Sequence, residues 1–326
     1  MIGDALNAAT LTLLAATFAK NVTVSGLKEN LGAKVVDPVT GLVLVVATIT
    51  LLIAKNAVNV VTQRQKPRMQ VNHPPTLCGV LSDIDDTLTW EGRLVPSAFT
   101  KLHELQKQGI KVVLVTGRPA GWVDHIARMW PVDAVVGENG GLWAYMEKGK
   151  LVQRYFASAH ERAESRARLN QLSRHILKTF PGAGLASDQA YRALDLAIDF
   201  CEDVAPLPEQ QVQAILQCFT DAGAHAKISS IHVNGWFGEW NKLDGVRQLF
   251  QELWDFDLES QLDQWVYFGD SANDEPMFEA FKYSVGVANI APFLEQMNAH
   301  PKWITKANGG MGFCEGIEAL NLGDKT

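Results

Sequence analysis

Cysteine is scarce in this sequence, and its spacing argues against a zinc site. The four cysteines lie at positions 78, 201, 218 and 314 of 326 residues, and no two of them form a CxxC pair or a zinc-ligand spacing. The chain is long enough for two domains with cores of their own, so it needs no disulfide framework. We therefore expect four reduced thiols in a cytoplasmic protein.

Positive charge is also in short supply. The formal net charge is −7, with 20% charged and 47% hydrophobic residues. This composition is typical of a globular protein and gives no case for disorder. The overall field disfavours an acidic partner, so we expect no nucleic-acid binding.

Aromatic residues are nearly absent from the first 70 residues. This segment contains no Trp or Tyr and one Phe, although the whole chain has nine Trp. Its charge is opposite to that of the rest, because seven Lys/Arg against three Asp/Glu give +4 and leave −11 for the remainder. Residues 1–70 are therefore a separate N-terminal extension with no residues for chemistry.

A hydrophobic run long enough to cross a membrane is missing as well. The apolar run 41–54 is shorter than the ~20 residues of a span, and extending it to Val61 includes Lys55, Asn56 and Asn59. The basic cluster 63–68 follows it, as in a span with a cytoplasmic C-terminal body. Three alternatives stay open: a marginal membrane anchor or helical hairpin, a soluble helical extension packed on the body, or a segment outside a working protein that starts at Met69.

The rest of the chain alternates short apolar runs with helical patterns. Apolar runs at 77–82, 110–115 and 133–136 alternate with helical spacing at 96–108 and 122–129. Further short strands are predicted at 264–269, 284–289 and 302–305. This order predicts an α/β fold, a doubly wound, Rossmann-like parallel sheet.

The middle of the chain has a different pattern. A hairpin is predicted at 142–156, and Ser158 with Glu161 forms a capping box for a long helix. A half-exposed strand at 193–200, a helix at 206–218 and one or two strands at 227–237 follow. We therefore divide the chain into an extension (1–70), the first part of the core (76–141), an inserted α+β module suited to act as a lid (142–235), and the second part of the core (236–326).

Acidic and polar side chains follow three of the predicted strands. The stretch LSDIDDTLTW (81–90) places Asp83, Asp85 and Asp86 after an apolar run, while Thr116 and Asp270 follow two other runs. In such a sheet, ligands bind beyond the carboxyl ends of the strands. Clustered carboxylates there are tolerable if a cation neutralises them, and oxygen ligands favour Mg²⁺. For each acid alone, a helix cap is the alternative.

Four elements in order carry a resemblance to a known family. These are DIDDTL (83–88), VTGR (115–118), NKLDG (241–245) and GDSAND (269–274). The set, over residues 76–320, resembles the haloacid dehalogenase superfamily of phosphohydrolases. The size of the middle module resembles subfamily IIB, with its sucrose-phosphate and trehalose-phosphate phosphatases and phosphomannomutase. GENGG (137–141) and NGGMGFCEGI (308–317) look most like the mannosyl-3-phosphoglycerate phosphatase branch.

The resemblance implies roles for the residues in these motifs. Asp83 would be the nucleophile that forms an aspartyl-phosphate, and Asp85 would be the general acid and base. Thr116 and the Gly117 N–H would hold a phosphoryl oxygen, and Lys242 would balance charge. The implied Mg²⁺ ligands are Asp83, the Asp85 carbonyl, Asp270 and Asp274. The implied function is Mg²⁺-dependent hydrolysis of a phosphorylated sugar or related small metabolite.

Residues that would contact the substrate are less sharply defined. Arg118 either contacts substrate or pairs with an acid of the body, and Glu138 and Asn139 are further candidates for substrate binding. Polar residues of the middle module have a structural role or a substrate contact as alternatives: Arg192, His232 and Asn234. Trp236 and Trp240 either pack in the core or stack on a sugar ring.

Two other functions stay open beside hydrolysis. A phosphomutase would use the same aspartyl-phosphate, and a non-catalytic, membrane-tethered scaffold would retain only the fold. The intact set of acids, threonine and lysine argues against the scaffold, because mutually repelling carboxylates serve no purpose there. We expect a cytoplasmic catalytic body, with membrane association only through residues 1–70.

Overall fold

The computed structural model describes residues 77–229 and 231–322. The N-terminal extension and its three alternatives lie outside the described residues. Within the described part, no helix combines the length and the apolar character that crossing a bilayer requires.

A mixed eight-stranded sheet is the centre of the described body. Its strands are β1 (Gly79–Ser82), β4 (Lys111–Val115), β5 (Ala134–Gly137), β6 (Leu142–Glu147), β7 (Lys150–Tyr155), β12 (Trp265–Gly269), β13 (Tyr283–Gly286) and β14 (Trp303–Ile304), in the order β14-β13-β12-β1-β4-β5-β6-β7. Pairing is parallel from β14 through β5 and antiparallel for β6 and β7. The predicted doubly wound sheet is confirmed.

Helices cover both faces of this sheet. Helices α1 (Pro96–Lys107), α2 (Ala120–Met129) and α7 (Gly309–Ala319) pack on one face, and α5 (Lys242–Trp254) and α6 (Glu275–Ala280) pack on the other. Alternate strand residues supply the two cores: Val112 and Leu114 of β4 face the first, while Val113 and Val115 face the second. All four are fully buried, as expected for a parallel strand covered on both sides.

A smaller antiparallel sheet has its own helical layer. Its strands are β8 (Gly184–Leu185), β9 (Leu196–Asp199), β10 (His225–Ile228) and β11 (His232–Trp236), in the order β10-β11-β9-β8, with α3 (Ala159–Thr179) and α4 (Glu209–Asp221) on one face. The predicted capping box starts α3, where the Ser158 side chain accepts from the Glu161 N–H and the Glu161 carboxylate accepts from the Ser158 N–H. A short separate hairpin, β2 (Thr89–Trp90) and β3 (Arg93–Leu94), follows β1.

Two sequence expectations differ from this arrangement. The hairpin β6–β7, which we placed in the inserted module, pairs with β5 and extends the larger sheet. Strand β9, expected to be half-exposed, is fully buried. Leu196 and Ile198 pack on α3 and α4, while the Asp199 carboxylate accepts the N–H groups of the next turn at 201–203, so its polar residue is satisfied inside.

Candidate active site

Three adjacent strands deliver the predicted site residues to one edge of the larger sheet. Ser82, at the end of β1, lies in register with Phe268 of β12 and Leu114 of β4. Asp83, Thr116 and Asp270 follow these strand ends directly. The Asp83 N–H donates to the Phe268 carbonyl at 2.9 Å, which extends the pairing by one step and fixes the direction of the Asp83 side chain.

A cluster of three buried carboxylates lies at this edge. One oxygen from each of Asp83, Asp270 and Asp274 lies within 4.8 Å of the other two. Their exposed fractions are 4%, 3% and 0%. The residues that sequence reasoning placed together from two distant motifs therefore meet in the structure.

Lys242 is the cation of this cluster. Its Nζ lies 2.7 Å from Asp274 Oδ1, 3.2 Å from Asp83 Oδ1 and 3.1 Å from Asn273 Oδ1. The first turn of α5 holds the lysine in place, because the Asn241 side chain accepts the N–H groups of Leu243 and Asp244. Burial alone would lower the pKa of Lys242. The negative charges of Asp274 and Asp83 raise it by a larger amount, so the net pKa is above the usual value and the ammonium stays charged.

The turn after β5 packs against the backbone at the start of α5, next to Lys242. Its residue Gly140 has φ +105°, and a Cβ there would lie 1.9 Å from the Asn241 carbonyl oxygen. Only glycine allows this approach of two backbone segments without displacement. The turn 137–141 and the start of α5 therefore fit each other as a pair.

The charge of the cluster is not balanced by one lysine. Burial raises the pKa of Asp83 to about 7. The carboxylates of Asp274 and Asp85 also raise this pKa, while Lys242 lowers it. Burial, then Asp274 and Asp83, raise the pKa of Asp270 well above its usual range. The donors are all oxygens, the ligands that Mg²⁺ prefers, so the residues present fit this ion. Asn289 Nδ2 contacts Asp270 Oδ2 at 3.3 Å and the Asp86 carbonyl at 3.0 Å, which braces the site.

Asp85 does not join the carboxylate cluster with its side chain. Its carboxylate accepts two hydrogen bonds from Arg118 Nε, at 3.1 and 2.9 Å, and one from Nη2 at 2.8 Å. Of the two sequence alternatives for Arg118, the structure therefore has the pairing with an acid of the body. Both residues still line the cleft above the cluster.

Thr116 and Gly117, both in the second motif, differ in their position relative to the cleft. Thr116 is fully buried, and its hydroxyl accepts the Arg118 N–H at 3.0 Å. Thr116 is not among the residues that line the cleft, whereas Gly117 is. The Gly117 carbonyl accepts from Arg192 Nη1 at 3.1 Å.

The Glu138 carboxylate accepts hydrogen bonds from backbone N–H groups and does not line the cleft. This corrects the sequence prediction that Glu138 contacts substrate. Its Oε1 accepts the N–H groups of Ala120 and Ala193 at 2.9 and 2.7 Å. Its Oε2 accepts those of Leu194 and Asp195 at 2.6 and 3.0 Å. Four donors fill the carboxylate, and Glu138 is fully buried and absent from the cleft lining. Asn139, the next residue, does line the cleft.

The smaller sheet closes the cleft opposite the carboxylates. The lining residues from this side lie in β10, β11, the loop between these two strands and the loop between β8 and β9: Arg192, Lys227, Ser229, Ile231, His232 and Asn234. Lys227 and Asn234 are paired in register on β10 and β11, so they share one face. Sequence reasoning missed Lys227, although alternation along 227–237 places it on the face of the strands opposite the apolar side chains.

A wider space adjoins the cleft. It measures about 440 Å³ and shares Asn139, Lys227 and Asn273 with the cleft. Trp236 and Trp240 contribute to its wall, and their exposed fractions are 3% and 6%. Both tryptophans thus pack in the core and border the space.

Comparisons with known proteins identify the family and the fold. Residues 80–175 and 236–315 match the model of the haloacid dehalogenase-like hydrolases. A phosphoglycolate phosphatase of Methanosarcina mazei is 30% identical over 243 residues, covering 73% of this chain and 94% of that protein. The fold is similar to that of a Thermoplasma acidophilum protein (TM-score 0.58, 17% identity, 76% of this chain and 100% of that one). It is also similar to that of the sucrose-phosphatase of Synechocystis (TM-score 0.53, 17% identity, 76% and 99%).

Proposed function

Because the chain belongs to the haloacid dehalogenase-like hydrolases and is a phosphatase of phosphorylated small metabolites, we propose that it acts through an aspartyl-phosphate on Asp83 with Mg²⁺ as cofactor. The observation that carries the proposal is the buried cluster of Asp83, Asp270, Asp274 and Lys242 at the carboxyl end of β1. A structural core has no use for three buried carboxylates around one lysine, because their desolvation is costly.

Asp83 is the nucleophile in this proposal. Its carboxylate oxygen attacks phosphorus while the bond from phosphorus to the leaving alcohol oxygen breaks. Lys242, 3.2 Å from Asp83 Oδ1, offsets the negative charge that the attacking and transferred groups bring together. A bound Mg²⁺ would shield the anionic nucleophile from the anionic substrate and stabilise charge that develops in the transfer.

Asp85 is the proton donor and acceptor. Its carboxyl group gives a proton to the leaving alcohol oxygen and then takes one from the water that hydrolyses the aspartyl-phosphate. It lines the cleft two residues after Asp83, so it can reach the leaving group while Asp83 faces phosphorus. Hydrolysis returns Asp83 to its carboxylate form and releases inorganic phosphate.

The smaller sheet serves as the cap over the cleft. It brings Lys227 and Asn234 to the side opposite the acids. The ammonium of Lys227 and the amide of Asn234 suit a phosphoryl group and the polar part of a substrate. The wider space of about 440 Å³ gives the leaving group room.

The substrate class that we propose is phosphorylated sugars and short phosphorylated acids. The size of the adjoining space supports a sugar-sized leaving group. A relative named phosphoglycolate phosphatase supports a short acid. The relation to the mannosyl-3-phosphoglycerate phosphatase branch stays a prediction from two motifs.

Phosphate release in Mg²⁺ from a panel of hexose phosphates, phosphoglycerates and 2-phosphoglycolate tests the proposal. The parent should release phosphate without forming a phosphorylated isomer. Asp83→Asn should lose at least ~10³-fold in kcat, because an amide is not a nucleophile. Asp86→Asn is the matched control, and we expect it to keep activity within a few-fold. Equal turnover by Asp83→Asn and the parent would refute the role of Asp83.

A further inference from the structure

An alternating chain of charges connects Asp85 with the smaller sheet. Arg118 binds Asp85 through its Nε and Nη2 edge, and its Nη1 lies 3.7 Å from Asp188 Oδ2. Asp188 in turn accepts from Arg192, at 3.0 Å from Nε and 3.2 Å from Nη2. Arg192 Nη1 lies 2.9 Å from Asp195 Oδ2.

These groups are buried enough for their charges to matter. The exposed fractions of the side chains are 14% for Arg118, 11% for Asp188 and 1% for Arg192. The Asp85–Arg118 and Asp188–Arg192 contacts are charge-assisted hydrogen bonds, which at this depth are stronger than exposed pairs and fix geometry as well as distance. The Arg118–Asp188 contact, at 3.7 Å, is an ion pair. Asp188 is therefore the shared counter-ion of two arginines that would otherwise repel each other.

The geometry of Arg118 depends on contacts at both of its edges. Its planar guanidinium presents a rigid fork, so a rotation that frees Nη1 also moves the Nε–Nη2 edge. The ring of Trp122 lies 4.8 Å from the guanidinium carbon and supports one face of the plane. The Asp188 carboxylate faces the remaining edge, with Oδ2 3.7 Å from Nη1, and attracts it by charge from the side of the smaller sheet.

From these contacts we propose that Asp188 is a positioning residue for the proposed hydrolysis. It holds Arg118 in the orientation in which Arg118 fixes the carboxylate of Asp85 toward the leaving group. This role rests on the proposed function. Asp188 itself does not line the cleft, so it has no place among the groups that bind substrate.

The loop that carries Asp188 links this role to the cap. Asp188, Arg192 and Asp195 all lie between β8 and β9, and Arg192 also donates to the Gly117 carbonyl of the core. Asp195 accepts from Asn234 Nδ2 at 3.0 Å, which connects the same loop to the cleft-facing side of β11. The orientation of Asp85 therefore depends on the cap being seated.

Leaving-group dependence tests this role. An alkyl phosphate needs a proton on its departing alkoxide, whereas p-nitrophenyl phosphate releases a stable phenolate without one. Asp188→Asn should lower kcat/KM for an alkyl phosphate by about 10- to 100-fold, part of the ~10²–10⁴-fold that a positioned acid supplies. Its kcat/KM for p-nitrophenyl phosphate should change less than about three-fold, because kcat/KM covers only the steps up to departure of the leaving group. By contrast, kcat also includes hydrolysis of the aspartyl-phosphate, in which Asp85 acts as base, so kcat should fall for both substrates where that step limits the rate.

Three further variants separate this role from a folding defect. Arg118→Lys keeps the charge but loses the fork, so it should show the same contrast between the two substrates. Asp188→Glu keeps the carboxylate and should recover most of the loss. Asp124→Asn removes a carboxylate that pairs with Arg128 at 2.7 Å on the surface of α2, and it should leave both substrates unchanged.

Two results would overturn the positioning role. One is an equal loss of kcat/KM on both substrates in Asp188→Asn, which would indicate folding or binding. The other is no loss on either substrate. An inactive parent would instead count against the proposed function itself, so the two failures are distinguishable.

Discussion

Replacing Lys242 by Met tests whether the buried carboxylates are held by charge. Met has a similar length and no charge, so Lys242→Met removes the ammonium and little volume. The side chain is 1% exposed, and its Nζ contacts the carboxylates of Asp274 and Asp83 and the amide oxygen of Asn273. The variant therefore leaves a cluster of acids in the interior with no cation.

The expected cost follows from the burial of the partners. Removing one partner of a buried ion pair typically costs ~3–5 kcal/mol, because the remaining charge is left uncompensated. The raised pKa of Lys242 means that its contribution is fully present at any pH below the usual lysine value. We therefore expect a loss of about 3–5 kcal/mol in the free energy of unfolding at pH 8.

The loss should shrink in mild acid. The pKa of Asp83, raised to about 7 chiefly by burial, means that this carboxyl is mostly protonated at pH 6 and no longer needs the lysine. A raised carboxyl pKa makes the folded state bind more protons than the unfolded state, so stability falls as pH rises toward 7. Lys242→Met should therefore be closer to the parent at pH 6 than at pH 8.

Urea denaturation of parent and variant at both pH values, with EDTA to keep cations out, measures this difference. Lys101→Met is the matched control, because Lys101 pairs with Glu104 at the same 2.7 Å but with side chains 17% and 44% exposed. Such a pair contributes ~0–1 kcal/mol. A Lys242→Met deficit no larger than that of the control, or one that does not change with pH, would refute the reasoning.

Two further predictions concern the same site. Mg²⁺ must displace protons from Asp83 and Asp270, whose pKa values are raised, so calorimetric titration should give an affinity that rises between pH 6 and 7 by up to about tenfold per pH unit for each proton displaced; a constant affinity would contradict this. Gly140→Ala should lower the free energy of unfolding by about 3 kcal/mol or more, since its φ is +105° and its Cβ would meet the Asn241 carbonyl oxygen. Gly149→Ala, at φ +75° with open space around it, should cost only about 1 kcal/mol, and similar thermal shifts for both variants would contradict the close approach.

Short apolar runs were enough to predict the larger sheet. Runs such as Val112 to Val115 have no polar residue, and only a strand covered on both faces tolerates that pattern. The Ser158–Glu161 box marked the start of α3 because the capping residues contact each other locally. Local signals of this kind need no knowledge of the tertiary fold.

Pairing partners could not be predicted in the same way. The hairpin 142–155 is visible from its turn at Lys148 and Gly149, but nothing in its own residues says which sheet it joins. The stretch 193–200, which contains β9, was expected to be a half-exposed strand because apolar and polar residues alternate along it. Its polar residue Asp199 is buried because nearby N–H groups satisfy it, and that requires the loop after the strand.

The same distinction between local signals and tertiary contacts applies to the site. The positions of the motifs predict that Asp83, Asp270 and Asp274 lie close together, because the ends of parallel strands lie at one edge of a sheet. Side-chain directions beyond those ends depend on tertiary contacts. For Arg118 the sequence left two alternatives, and the structure identifies Asp85 as its partner. The four backbone donors to the Glu138 carboxylate are visible only in the structure.

Glu138 also limits how the two sheets can separate. One carboxylate ties the start of α2 to residues 193–195, directly before β9, and it is fully buried. Pulling those residues away would leave a buried carboxyl group without its hydrogen-bond donors. An opening of the cleft therefore costs least if the hydrogen bonds between Glu138 and these residues stay intact.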